Sequence, residues 1–309
     1  MRYTTLEVQT HSNDNVHTLY GKIYIPIGTP KATFQIIHGM SEHIELYDEF
    51  MSKLARCGYV VLIHDQLGHG KTSEGIDKLG FFAQKNGDTL LVEDAYSFAR
   101  EFLSDYSGLK HILFGHSMDS FIARICCEKY SDMCDMLILS GTGGHQKGSG
   151  LGIAVTHAGG RVYGEEYRSE ISQKLFLDYC NIQFRDDQND YAWTTSDISV
   201  QKHHLEDKYY NFVFSVKAMN DVVTLSVNCN SEEWYDTYRT DLQTLILSGE
   251  KDPVGDYGKG VLEVYKKLKE RGVRDITLKL YKDRRHELLH EINRYEVCDD
   301  IIMWLAHRL

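Results

Sequence analysis

The stretch 111–120, HILFGHSMDS, constrains this chain more than any other. Ile112, Leu113 and Phe114 are apolar enough for a strand buried on both faces. Gly115, His116 and Ser117 follow, then Met118 and the helix-competent run 121–127. A strand, a sharp turn and a helix in that order can lift Ser117 Oγ clear of a sheet edge. The Met118 N–H, at the first turn of the helix, would face the same space. A hydroxyl so placed is a candidate nucleophile, and the amide beside it a candidate oxyanion donor. The pattern G-x-S-x-G is met at Gly115 and Ser117 and broken at Asp119, where glycine is expected. Five positions short of one member specify little alone. The weight of the pattern depends on whether the remaining parts follow in order.

The rest of the chain alternates strand and helix patterns at lengths suited to a mostly parallel, doubly wound sheet. Residues 3–10 and 19–25 alternate in period two around Ser12, Asn13, Asp14 and Asn15, which predicts an antiparallel hairpin at the start. The run 33–37 reads as the first strongly buried strand and ends in His38, Gly39 and Met40. A strand running into glycine can present a main-chain N–H at the carboxyl edge of a sheet, so Met40 is the candidate for a second oxyanion donor. Taken alone, these three residues read more simply as a strand-to-loop turn. An amphipathic helix over 45–57 is closed by Gly58. A strand over 59–63 leads to Asp65. The glycine-rich loop 67–73 lacks G-x-x-x-x-G-K-[ST], so a tight turn beside the sheet edge fits it better than a phosphate loop. Residues 88–103 are helical by period.

A further strand, 136–139, runs into the loop 140–144, and there the alternation stops. Residues 145–235 hold helical pieces, 165–179 and 211–227, between polar loops. Tyr191, Trp193, Tyr209, Tyr210, Phe212, Phe214 and Met219 make the region aromatic. This pattern predicts an α/β core at 1–144 and 236–309 with an inserted, mostly helical cap at 145–235. Such a cap can wall an apolar pocket, although the same aromatics would also serve a larger core. The sheet resumes at 242–247. A helix over 260–271 ends at Gly272, a strand spans 276–280, and 297–305 forms part of a closing helix.

Acidic residues follow the strand at 242–247. Asp252 is preferred over Glu250 because Pro253 ends the strand register there and sets a turn. His286 follows the strand at 276–280. The chain has 15 His, so one histidine means little. The strand-end position lifts His286 above His64, His69 and His116, while His38 and His43 read as loop or edge residues. Ser117, Asp252 and His286 thus occur in that order, each just beyond a predicted strand. Parallel sheets bind ligands at that edge. His286 would take the Ser117 proton, and Asp252 would fix the imidazole tautomer. A zinc site is a weak alternative for these histidines, and no metal is expected.

Composition narrows the function classes. A formal net charge of -11 disfavours nucleic acid as a partner, since phosphate binding needs a basic surface. The 7 Cys are scattered with no C-x-x-C pair, which suits reduced thiols. The first residues lack a signal-peptide pattern, and no stretch approaches membrane-spanning length. A cytoplasmic location is the expectation.

With these parts in place, the chain resembles the α/β-hydrolases grouped as monoacylglycerol lipases, lysophospholipases and serine aminopeptidase-like proteins. The resemblance lies in IIHGMSEH at 36–43, DQLGHGKTS at 65–73, FGHSMDS at 114–120, LSGTGG at 139–144, LILSGEKDPVGDYGKGV at 245–261 and LYKDRRHELLHE at 280–291. It implies Ser117 as nucleophile, Asp252 as triad acid, His286 as base, and Met40 and Met118 as oxyanion amides. It implies hydrolysis of fatty acyl esters without a cofactor, a small-molecule acyl ester as substrate, and transient lipid contact through the cap. Two residues depart from the family's motifs, Asp119 for the elbow glycine and His290 for an asparagine, and the cap matches more loosely than the sheet.

Three alternatives stand beside the monoacyl-lipid reading. One is a small-ester carboxylesterase on the same machinery. Another is a catalytically impaired binding protein, on account of Asp119: a side chain there must push outward or displace a neighbour, unless it points to solvent. A peptidase fits less well, because no concentrated acidic site offers to bind a free amine.

Overall fold

Runs of apolar and β-branched residues too long to be half-exposed become the middle of a sheet. The computed structural model describes residues 2–145, 159–187 and 189–309. In it β3 (Ala32–Ile37), β4 (Tyr59–His64), β5 (His111–His116) and β6 (Met136–Ser140) are buried along nearly their whole lengths. They join β1 (Tyr3–His11), β2 (Thr18–Pro26), β7 (Gln243–Gly249) and β8 (Ile276–Tyr281) in one sheet of order β1-β2-β4-β3-β5-β6-β7-β8. The first two strands form the expected antiparallel hairpin, with Tyr3 opposite Pro26. From β4 to β8 every pairing is parallel.

Residue alternation sends side chains to two apolar layers. Ile37, Leu62, Leu113, Leu137, Leu139 and Ile246 pack on one face with α2 (Gly87–Phe102), α3 (Met118–Lys129) and α8 (Lys259–Glu270). Phe34, Ile36, Ile63, Phe114, Ile138 and Leu247 pack on the other with α1 (Asp48–Arg56) and α9 (Arg294–Ala306). Helices on both faces of a mostly parallel sheet make this the α/β-hydrolase arrangement expected from the sequence. The predicted helix at 45–57 begins as a single 3₁₀ turn, Ile44–Tyr47, before α1.

Between β6 and β7 lie α4 (Glu170–Cys180), α5 (Ile198–Glu206), α6 (Val216–Asn228) and α7 (Glu232–Thr237). Two of these start later than periodicity predicts. Ser169 caps α4 by accepting from Ser172 N at 3.2 Å, and Ser215 caps α6 by accepting from Ala218 N at 3.0 Å. A serine oxygen that satisfies an orphan amide sets a helix start more sharply than apolar spacing does. Residues 146–158 and 188, within the expected cap, lie outside the described residues. The later part of this segment joins the main core: Phe214, Ala218, Leu225, Trp234 and Tyr235 belong to the same apolar cluster as α2 and α3.

The chain passes from β3 to β4 on one side and then crosses to β5 on the other. The loops leaving β3 and β5 therefore diverge and leave a crevice at their carboxyl ends. Ile37 stands opposite Gly115 there, which places the loop after β3 beside Ser117.

Candidate active site

Ser117 occupies the turn between β5 and α3 with φ 54° and ψ −124°, a conformation costly for a residue with a Cβ. The turn survives because β5 and α3 are both locked in the core. Gly115 allows the helix to come this close. A Cβ there would strike the Asp119 carbonyl oxygen and stand 2.8 Å from Ala123 Cβ. The close approach that a second elbow glycine would serve thus falls at Gly115, and Asp119 meets the strand with its backbone.

His286, beyond β8, brings Nε2 to 2.8 Å from Ser117 Oγ, and its Nδ1 stands 2.9 Å from Asp252 Oδ1. Asp252 follows β7, is fully buried, and is fixed by the Val254 amide, which donates to Oδ1 at 2.8 Å. Glu250, the competing acid, is exposed. With Asp252 accepting from Nδ1–H, the lone pair of Nε2 faces the serine hydroxyl. Burial alone would pull His286 down. The Asp252 carboxylate outweighs it through charge and hydrogen bond, and the imidazole lies above the usual 6.5. The Trp193 and His116 rings flank it, with centroids at 4.9 and 4.8 Å. The three sequence candidates are therefore in one hydrogen-bonded line, spaced for proton transfer from serine to histidine.

Met40 and Met118 both line the cavity in front of Ser117. Among the described residues neither main-chain N–H donates to a protein acceptor. Four contacts that periodicity could not reveal hold the loop carrying Met40. Gly39 N donates to Glu42 Oε2, Ser41 N to His69 Nε2 at 3.2 Å, and Ile44 N to Asp65 Oδ1 at 2.9 Å. His43 reaches Asp207, beyond α5, at 2.8 Å. The glycine-rich loop 67–73 is indeed a tight turn. Its Gly70 has φ +45°, and a Cβ there would collide with the Asp65 carboxylate.

The cavity holds about 220 Å³. Phe121, Phe176, Leu177, Trp193, Phe212, Phe214, Met219, Val222 and Val254 give it apolar walls. Of the aromatics read from the sequence, Tyr191 and Tyr210 also line it, whereas Tyr209 packs near the His43 ring. One end is polar, with Glu42, His116 and Glu287.

Glu287 is the functional neighbour that sequence reasoning passed over, although it adjoins His286. Its Oε2 accepts from His204 Nε2 at 2.9 Å and His290 Nδ1 at 2.8 Å, and Tyr210 OH donates to Oε1. Burial works against the charge of both Glu287 and His290. At Glu287 the His204 ring, and after it His290, prevail and hold the carboxyl well below its usual range, while Glu287 raises His290 to about 9. The ligand atoms of His204, Glu287 and His290 lie within 4.8 Å of one another, close enough to hold a metal ion, but here they satisfy each other by hydrogen bonds.

Asp119 neither pushes outward nor points to solvent, as the sequence reading allowed. It is 0% exposed, and Gln66 Nε2 donates to its Oδ1 at 2.9 Å. The carboxyl fills the space between α3 and the loop after β4.

The model of the family described as serine aminopeptidase, S33, matches residues 28–293. The chain belongs to this S33 family. Its relatives include human monoglyceride lipase, 32% identical over 130 residues, which is 40% of this chain and 39% of that protein. The match thus spans about two fifths of the relative's length. A carboxyl esterase from Bacillus coagulans, solved in complex with glycerol, superposes with a TM-score of 0.90 at 26% identity over 98% of each chain. A soluble variant of monoglyceride lipase from Saccharomyces cerevisiae shares the fold, with a TM-score of 0.75 at 19% identity over 98% of this chain and 96% of that one. Among the described residues of this S33 chain, no helix is long and apolar enough to cross a membrane.

Proposed function

We propose that this chain is a serine hydrolase that cleaves carboxylic esters of monoacyl lipids through an acyl-enzyme. The observation that carries the reading is the line Ser117–His286–Asp252, at 2.8 and 2.9 Å, opening into an apolar cavity. His286 Nε2 takes the proton as Ser117 Oγ bonds to the ester carbonyl carbon. The oxyanion that forms accepts from the Met40 and Met118 amides. Collapse breaks the bond to the alkoxy oxygen, which leaves with the His286 proton as an alcohol. Water then repeats the sequence on the acyl-enzyme, giving its proton to His286, and a carboxylic acid leaves as Oγ regains a proton. Asp252 holds the tautomer and stabilises the imidazolium throughout.

The substrate class follows from the walls. An acyl chain suits the apolar walls of the cavity, which α4 and α6 of the cap segment help to close. The names of the human and Bacillus coagulans relatives support an ester reading. The family's description as a serine aminopeptidase raises a peptidase reading, but the two acids at the cavity are engaged. Glu287 is paired with His290, and Glu42 accepts from Gly39 N and Tyr47 OH. Glu287 is thus not free to hold a substrate ammonium, and Glu42 Oε1, though without a hydrogen-bond partner, is buried 3.7 Å from His116 Nε2.

The cap also carries the lipid contact. One side of α4 gives Gln173, Phe176 and Leu177 to the cavity. Another presents Ile171, Leu175 and Tyr179, four residues apart, to solvent; Ile171 is 74% and Leu175 65% exposed. A helix apolar on two faces beside a cavity entrance suits the edge of a lipid aggregate.

The test is hydrolysis of p-nitrophenyl esters from acetyl to dodecanoyl, with Ser117→Ala as control and amino-acid p-nitroanilides alongside. kcat/KM should rise with chain length up to the cavity's limit, at roughly 0.8 kcal/mol per buried methylene. Ser117→Ala should lose at least about 1,000-fold while melting like the parent. An acetyl preference would favour the small-ester alternative, and faster anilide cleavage would return the peptidase reading.

A further inference from the structure

Asp119 has no part in the reaction above, yet it is wholly buried two residues after the nucleophile. Its Oδ1 accepts from the Gln66 side-chain amide at 2.9 Å, and its Oδ2 has no protein partner. Gln66 stands just beyond β4, and its main-chain N–H donates to His38 Nε2 at 3.1 Å. That bond leaves the ring proton on Nδ1, which meets the Gly39 carbonyl oxygen at 3.0 Å. Burial keeps the His38 ring neutral by lowering it to about 4, so this tautomer persists across the working range. The Gly39 carbonyl and the Met40 N–H are two ends of one planar peptide unit. Whatever fixes that oxygen also fixes the direction of the Met40 N–H. The Glu42 amide donates to the same oxygen at 3.1 Å and closes the loop from the other side.

We propose that Asp119 is a positioning residue for the Met40 oxyanion amide, acting through Gln66 and His38. The inference rests on the ester-hydrolase reading, in which that amide receives the developing charge. The residue that breaks the glycine pattern thereby ties the helix behind the nucleophile to the loop in front of it. Among the described residues of α3, Asp119 is the one whose side chain hydrogen-bonds to the loop after β4, which in turn holds His38 before the Met40 loop.

The surroundings also settle which form of Asp119 does this. The groups facing it are Glu42 from the loop after β3, Tyr47 from the 3₁₀ turn, Cys126 farther along α3 and Gln66. His64, beside Gln66, is buried and lowered to about 3, so it brings no positive charge. Burial, reinforced by the charge of Glu42, pushes the Asp119 carboxyl well above its ordinary 3.8. The working form is the neutral acid, whose oxygen accepts from Gln66 as an amide oxygen would. Asparagine copies that shape, charge and acceptor, whereas leucine copies only the bulk.

The experiment compares the full-length parent with Asp119→Leu, Asp119→Asn and Gln66→Met. It reads p-nitrophenyl butyrate kinetics, fluorophosphonate labelling of Ser117, and melting from pH 4 to 9. Asp119→Leu and Gln66→Met should lower kcat by about 10–100-fold with KM within about threefold, since the oxyanion exists only beyond the ground state. Asp119→Asn should restore kcat to within about threefold of the parent. The Asn variant should also gain in melting temperature over the parent as pH rises above the ordinary aspartate value. The parent's buried acid contributes fully below that value, and its contribution is lost as pH rises through the raised one. Parental kcat in both Asp119→Leu and Gln66→Met would overturn the proposal, as would an Asn variant as slow as the Leu one. A melting gap constant with pH would overturn the neutral-acid form. If Asp119→Leu does not fold, Gln66→Met tests the same link from its other end. A parent with neither ester turnover nor fluorophosphonate labelling would overturn the hydrolase reading itself, a result distinct from slow Asp119 and Gln66 variants of an active parent.

Discussion

His286 lies between two opposing influences. Burial favours the neutral ring, and Asp252 favours the charged one; Asp252 prevails and sets the imidazole above 6.5. A general base works only when unprotonated, so the sign is fixed: the free enzyme should gain kcat/KM as pH rises through a value above 6.5. The acid limb of a pH profile on a soluble ester measures it. A midpoint at or below the ordinary histidine value would show that desolvation outweighs the carboxylate. The same rules gave different outcomes to its neighbours. His116, flanking the same ring, is lowered to about 3 by burial because no carboxylate reaches it within hydrogen-bond distance. His290, hydrogen-bonded to Glu287, is raised to about 9. Three histidines within one site thus differ in charge because of what each one faces, and not because of residue type.

At the scale of elements, the inserted segment is held where it leaves and rejoins the core. Arg124, on the inner face of α3, is fully buried. Its Nη1 donates to the Gly143 carbonyl at 3.1 Å, and its Nη2 donates to the Cys229 carbonyl and to Asn230 Oδ1. Its guanidinium lies 4.2 Å from the Trp234 ring centroid. Gly143 is where the chain leaves β6, and residues 229–234 are where it returns toward β7. One side chain therefore clips both ends of the insertion to the nucleophile's helix. Arg124→Met would keep the stem's packing, leave the Cys229 carbonyl without its donor and leave the Gly143 carbonyl only Asn230 Nδ2 at 3.4 Å. The expected loss is about 3 kcal/mol, a melting temperature lower by roughly 5–10 °C. Calorimetry of the purified variant measures it, and an unchanged melting temperature would show that water replaces the guanidinium.

For the whole molecule, the cavity lies at a crevice made by topology, α4 and α6 help to line it, and α4 also carries exposed apolar residues. If α4 meets lipid aggregates, Ile171→Ser combined with Leu175→Ser should lower turnover of a long-chain monoacyl ester in vesicles by about 5-fold or more. Turnover of soluble p-nitrophenyl butyrate should stay within about twofold, because the cavity face of α4 is untouched. Equal losses on both substrates would place the effect inside the cavity and remove the lipid contact.

The order of strands and helices, and the strand-end positions of Ser117, Asp252 and His286, were legible in the sequence alone. Period-two and period-3.6 patterns report which face each element buries, and a parallel sheet gathers its strand ends on one edge. Neighbours in the chain could not report what only distant segments bring together. The starts of α4 and α6 belong to the caps Ser169 and Ser215, because one hydrogen bond outweighs a few apolar residues of period. Glu287 looked like an ordinary acid beside His286 until α5 supplied His204 and the segment after it Tyr210. Asp119 looked like a misfit because its partner, Gln66, lies 53 residues earlier. Local spacing determines which groups stand at the edge. Their partners, and through burial their charge, are decided only when the sheet closes and the insertion folds over it.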